Sequence, residues 1–139
     1  MSQSNVSITV QERAGRRCAS SGSKWEPIIG YSRAVRSGNF IAVTGTVGIG
    51  ADGVYPKTVE AQTLRSLEII RAAVEALGGK MENVIRTRMF VTNIAEWQDV
   101  AKAHGAVFAE IRPATTIVEV AKLIDTDALI EIEADAVVP

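Results

Sequence analysis

The segment Leu129–Val137 reads Leu-Ile-Glu-Ile-Glu-Ala-Asp-Ala-Val, and its alternation constrains this chain more than any other feature. Successive side chains of a strand point to opposite faces. Ile130, Ile132, Ala134 and Ala136 therefore share an apolar face, and Glu131, Glu133 and Asp135 share the other with Leu129 and Val137. A strand of this kind lies on a core by one face only. Three carboxylates in a row repel each other and lose solvation if buried unpaired. Their face must meet water, a partner subunit, or cations such as Arg86 and Arg88.

The rest of the chain supplies elements to pack on the apolar face. Residues from about Thr58 to Leu77 have Leu64, Leu67, Ile70, Val74 and Leu77 at spacings of three and four, which predicts an amphipathic helix. Gly78-Gly79 ends it, since glycine adopts the left-handed cap at low cost. A second helix is expected from Asn93, with Glu96 three residues on as a capping-box variant. Its inner stripe is Trp97, Val100, His104, Val107 or Phe108, and Ile111, and Pro113 stops it. Strands are expected at Ser32–Val35 and Asn39–Thr44, joined by a tight Ser37-Gly38 turn, then at Val84–Thr92 and Thr115–Ala121. A short edge strand is placed near Arg13–Ala19. The order is β-β-β-α-β-α-β-β, an α+β fold with both helices on one face of a mixed sheet. Residues 1–139 form one domain, with residues 1–12 frayed or peripheral.

Composition excludes several functions. The chain has 139 residues, 47% hydrophobic and 22% charged, with a formal net charge of −1. Nothing in that balance neutralises a phosphate backbone, so no nucleic acid partner is expected. Cys18 and His104 are the only cysteine and histidine, too few for the usual zinc site. No metal and no cofactor is expected. Neither a signal-peptide apolar region nor an apolar run near 18 residues is present, so a cytoplasmic protein without membrane attachment is the expectation. Gly48-Ile49-Gly50-Ala51-Asp52-Gly53 matches Gly-x-Gly-x-x-Gly, but Val54-Tyr55-Pro56 follows where a dinucleotide site needs a helix. It is read as a turn.

Four stretches together carry a resemblance: IIGYSRAVRSGNFIAVTG, VEAQTLRSLEIIRAAVEALGG, NVIRTRMFVTNIAEW, and RPATTIVEVAKL with LIEIEADAVV. From about Trp25 to Val138 the chain resembles the RidA/YjgF family, also known as L-PSP endoribonuclease-like proteins. The resemblance implies a chorismate mutase-like fold, a homotrimer closing into a barrel, and clefts at the subunit interfaces. There the active members hydrolyse 2-imino or 2-aminoacrylate acids to keto acids and ammonia. A glutamate positions water, an arginine holds the substrate carboxylate as a fork, and a tyrosine and backbone N–H groups orient the substrate.

Carried over by position, Glu131 matches the catalytic glutamate, Tyr31 the tyrosine, and Thr44-Gly45 the pair at the strand end. The arginine is absent, because Thr115 stands in Pro113-Ala114-Thr115-Thr116; the proline of the Gly-Pro-Tyr turn is absent too, where this chain reads Ile29-Gly30-Tyr31. Charged hydrogen bonds are worth about 1.5–3 kcal/mol each, so losing the fork weakens a small carboxylate by about a hundredfold or more. Either Arg112 or Arg88 supplies the cation, or the ligand is neutral at that end and meets the Thr115-Thr116 hydroxyls. Three functions stay open: hydrolysis of an imine, an enamine or a related small metabolite with a Glu131-positioned water, a non-catalytic small-molecule-binding or regulatory trimer, and an endoribonuclease. His104, within an apolar stripe, is read as a packed core histidine.

Overall fold

The computed structural model describes residues 5–139. Nine strands and helices form the framework: β1 (Thr9–Arg13), β2 (Arg16–Ser20), β3 (Ala34–Ser37), β4 (Phe40–Val47), α1 (Val59–Ala76), β5 (Val84–Val91), α2 (Trp97–Phe108), β6 (Ala114–Glu119) and β7 (Ile130–Val137). Seven strands make one sheet in the order β1-β2-β3-β4-β7-β5-β6. β5 and β6 run parallel across the α2 connection, and the other pairs are antiparallel. Both helices pack together on one face. The α+β class and the mixed sheet with helices on one side are as the sequence predicted. No helix among the described residues is long and apolar enough to cross a membrane.

The core lies between that sheet face and the helices. Ile130, Ile132, Ala134 and Ala136 of β7 are fully buried there, with Ile41 and Val43 of β4, Met89 and Val91 of β5, and Leu67, Ile70 and Val74 of α1. Thr58 caps α1 by accepting from the Ala61 N–H at 3.1 Å. At the other end, Gly78 takes φ +89°. Arg17 and Arg36 both donate to the Leu77 carbonyl, at 3.1 and 2.8 Å, placing cations at the negative end of the helix dipole.

Several expectations need correcting. The strand placed at Arg13–Ala19 is a hairpin: β1 pairs with β2 from Thr9↔Ser20 to Arg13↔Arg16, around an Ala14-Gly15 turn with both φ values positive. Thr9–Arg13 is thus paired, at the periphery of the sheet. All five of its residues are exposed at the sheet edge, so no apolar alternation marked it; residues 1–4 lie outside the described residues. The turn after β3 is Gly38-Asn39, one residue later than expected. Leu64 is 39% exposed and Trp97 51% exposed, outside the stripes assigned to them. In α1 the inner positions fall to Thr63 and Ser66, which satisfy their hydroxyls on the Val59 and Thr46 carbonyls. At Asn93 the chain first makes a single 3₁₀ turn, Ile94–Glu96, and α2 begins at Trp97.

Gln62 ties the fold to the site below. Its amide donates to the Pro56 and Asp127 carbonyls at 2.9 and 3.0 Å and accepts from the Leu129 N–H at 2.8 Å. The loop entering β7 is therefore anchored to α1 just before Glu131.

Candidate functional site

The open face of the sheet carries the carboxylates, and the three meet different surroundings. Arg88 of β5 lies beside β7 and donates to Glu133 at 3.1 Å and Asp135 at 3.3 Å. Glu131, nearer the start of the strand, has no ion pair among the described residues. It lies over Gly45. A Cβ at Gly45 would collide with the Glu131 carboxylate, so the carboxylate can hold this position only over a glycine, by close approach and not by φ. The register of β4 against β7 shifts between Val43 and Thr46, a bulge that sets Thr44 and Gly45 out of the regular ladder. Thr44 is anchored there: its N–H donates to the Arg33 carbonyl at 2.9 Å and its hydroxyl to the Ser32 carbonyl at 2.6 Å.

Before β3 the chain makes one π-helical turn, Glu26–Gly30, closed by the Tyr31 N–H on the Glu26 carbonyl at 3.0 Å. This turn delivers Tyr31 and then Arg33 to the same place. Tyr31, Arg33, Thr44, Gly45 and Glu131 line a cleft of about 190 Å³, with Trp25, Ile29, Val47 and Ile124 as its apolar wall and Ser23 and Asp125 at the rim. Burial pushes the Glu131 carboxyl above the usual carboxylate range; the Arg33 charge opposes that rise and Glu133 adds to it. Two larger hollows exist. One of about 680 Å³ runs along β1–β3 and shares Tyr31 and Thr44 with the cleft. Another of about 550 Å³ holds Tyr55, whose hydroxyl donates to Asp125 at 2.7 Å and is pushed far up by burial and that carboxylate. Neither contains Glu131.

Four of the residues singled out in the sequence thus come together: Tyr31, Thr44, Gly45 and Glu131. The other three do not reach them within one chain. Arg88 is engaged with Glu133 and Asp135. Arg112, at φ 56°, turns the chain out of α2 and is exposed. Thr115 sits on the edge strand β6, where its hydroxyl meets Thr87 Oγ1 at 2.8 Å. Thr87 Oγ1 in turn meets His104 Nε2 at 2.9 Å. His104 is held below its usual pKa by burial and packs on Phe108 at 4.6 Å between ring centroids, as expected of a core histidine. The dinucleotide-like glycine run is a loop: Asp52 accepts from the Val54 N–H at 3.0 Å and α1 starts only at Val59.

Sequence reading missed Arg33. It lay inside the quoted Tyr31-Ser32-Arg33 stretch, but nothing in a single charged residue before a strand announces burial. The structure buries it to 6% exposure beside Glu26.

Comparison with known proteins now decides the family. The family model described as Endoribonuclease L-PSP matches residues 22–138. The chain belongs to the RidA/YjgF family. Its fold superposes on Rv2704, a member of the YjgF/YER057c/UK114 family from Mycobacterium tuberculosis, with TM-score 0.82 and 44% identity, over 88% of this chain and 99% of that one. A 2-iminobutanoate/2-iminopropanoate deaminase of Escherichia coli K12 is 37% identical over 111 residues, 77% of this chain and 86% of that protein. A RutC family protein of Pyrococcus horikoshii is 34% identical over 118 residues, 80% of this chain and 89% of its own. RidA/YjgF relatives thus include a named imine deaminase, and β3, β4 and β7, which build the cleft here, all lie within the matched span.

Proposed function

We propose that this chain hydrolyses the carbon–nitrogen double bond of a small imine, or of the imine tautomer of an enamine, with Glu131 as the base. The carrying observation is Glu131 itself: a carboxylate with no ion pair among the described residues, raised in pKa, in a cleft walled by apolar side chains. A carboxylate with a pKa nearer neutrality is a better base than an ordinary one. Glu131 takes a proton from water as its oxygen bonds to the imine carbon. The C=N electron pair moves to nitrogen, which takes a proton from solvent. The tetrahedral amino-alcohol then collapses: its hydroxyl proton leaves to solvent, C=O forms, the C–N bond breaks, and ammonia departs with the proton held by Glu131. The deaminase name of the 37% identical relative supports this reaction class.

The substrate differs from a plain 2-imino acid in this reading. Arg33 is the only cation among the described residues lining the cleft, and four of its five N–H donors are occupied, leaving no pair to fork onto a carboxylate. Trp25, Ile29, Val47 and Ile124 favour an apolar body with a neutral polar end. The working unit is a homotrimer with the cleft completed at the subunit interface, which is how Thr115 of one copy would come near Glu131 of another. A trimer that binds such a metabolite without turnover is the second reading, favoured by the placement of Thr115 where the resemblance calls for arginine.

The test is ammonia release from freshly generated 2-iminopropanoate and from a neutral aliphatic imine, using wild type, Glu131→Gln and Thr115→Arg. Wild type should act on the neutral imine, Glu131→Gln should be silent, and Thr115→Arg should gain the imino acid. Turnover surviving in Glu131→Gln would sink the mechanism. Silence of every protein on both substrates, with retained ligand binding, would favour the binder. RNA binding with a steep salt dependence would instead revive the ribonuclease.

A further inference from the structure

Arginine has five N–H donors in a rigid fork. In Arg33, Nε donates to Ser21 Oγ at 3.2 Å, and Nη1 donates to the Gly45 carbonyl at 2.9 Å and to Thr46 Oγ1 at 3.2 Å. Nη2 donates to the Tyr31 hydroxyl at 3.3 Å and faces Glu26 Oε2 at 4.0 Å. No adjacent pair of N–H groups is left to fork onto a ligand carboxylate. Glu26 is equally committed, accepting from Ser20 Oγ at 2.7 Å and from the Ser21 N–H and hydroxyl, each at 3.1 Å. Both charges are buried, at 6% and 7% exposure, so each depends on the other and on these bonds.

We propose that Arg33 is a positioning residue of the cleft and not its ligand clamp: one buried guanidinium holds the Tyr31 hydroxyl and the Gly45 bulge around Glu131 and sets the charge that Glu131 feels. This rests on Glu131 being the base of the proposed reaction. The groups facing Glu131 are few. Glu133 lies on its own strand, Arg33 and Tyr31 come from the segment before β3, Asp125 comes from the loop before β7 with Tyr55 bonded behind it, and Glu26 acts through Arg33. Burial and Glu133 favour the protonated form, and Arg33 opposes them. Arg33 therefore governs how much of Glu131 is ionised, and so able to act as a base, near neutral pH.

The experiment is a carboxyl NMR titration of full-length protein carrying 13C-labelled glutamate, with Glu131→Gln to assign the resonance. In Arg33→Met the Glu131 midpoint should shift upward. Arg33→Lys keeps the charge but not the fork, so the midpoint should stay near wild type. Turnover of Arg33→Lys should still fall by about a hundredfold, mostly in kcat, because Tyr31 and the bulge lose their anchor. An unmoved Glu131 midpoint in Arg33→Met overturns the proposal. So does an Arg33→Lys variant that loses only KM, the mark of a clamp. If Arg33→Met does not fold, Glu26→Gln reads the same couple: removing the counter-charge should shift the Glu131 midpoint downward, and no shift overturns the proposal. The titration stands without a substrate. Its failure removes Arg33's role while leaving imine hydrolysis standing, and silent turnover with a shifted midpoint does the reverse.

Discussion

Glu131 and the pair Glu133–Asp135 occupy one face of one strand, two residues apart, and meet opposite fates. Arg88 reaches across from β5 and bridges the pair at 3.1 and 3.3 Å. Opposite Glu131 on β5 stands Phe90, and on the other side the β4 bulge brings Gly45 beneath it. The same residue type on the same face is therefore an ion-pair partner at one register position and a carboxyl pushed up in pKa by burial at another. Strand alternation assigns the face, and the neighbouring strand's register assigns the chemistry.

The largest expected effect is on the unpaired member. Glu131→Gln should cost about 10²–10⁴-fold in turnover, the usual worth of a positioned base. It should not cost stability. A carboxyl raised in the folded state stabilises the fold fully below its unfolded pKa, and that contribution is lost as pH rises through the folded value. Ionised Glu131 is thus a burden at neutral pH. Urea denaturation should show Glu131→Gln gaining relative to wild type as pH rises from the ordinary carboxylate range toward 7. An equal difference at every pH would contradict the desolvation reading.

Gly45→Ala should act on the same group through space. The added Cβ displaces the Glu131 carboxylate, and a misplacement of this kind costs about a hundredfold in kcat. Normal kcat in a folded Gly45→Ala protein would show that the carboxylate position is not critical.

Thr87→Val tests whether the opposite side of the sheet is as independent as it looks. It leaves His104 and Thr115 without their shared hydroxyl partner and should cost about 1–3 kcal/mol by chemical denaturation. His104 adds a pH signature. Its lowered pKa means its contribution is present above the ordinary value of 6.5 and lost as pH falls through the folded value. A His104→Gln protein should lose less stability than wild type between neutral and acid pH, and a parallel loss in both would assign the acid sensitivity elsewhere.

The smallest effect is expected at the pair bridged by Arg88. Arg88→Met should cost only about 0.2–1 kcal/mol, since the side chains of Arg88, Glu133 and Asp135 are 41%, 36% and 23% exposed. The Glu131 midpoint should shift upward as Glu133 loses its partner. A stability loss several times larger would mean that this face is buried against another subunit in solution.

Much of the fold was legible because periodicity reports it directly. The β7 alternation, the α1 stripe and the Gly78 stop all stand where the pattern put them, with Leu64 and Trp97 misassigned because buried threonine, serine and helix-end geometry are invisible to hydrophobicity. The β1 strand was illegible for a related reason: an edge strand exposed on both faces needs no apolar alternation. Of the site, Glu131, Tyr31, Thr44 and Gly45 were found through motif resemblance, and the structure gathers those four into one cleft.

By itself, the sequence determined the one-sided sheet, the two covering helices and the row of three carboxylates, since residue spacing alone decides which side chains share a face. Only the tertiary structure decided that Arg88 claims Glu133 and Asp135, that Arg33 is buried with four of its five N–H donors hydrogen-bonded, and that Glu131 lies over a glycine with no ion pair among the described residues. Those outcomes depend on strand order, register and a bulge between residues far apart in the chain, and such distances set both the Coulomb energy and the desolvation that give identical carboxylates different chemistry.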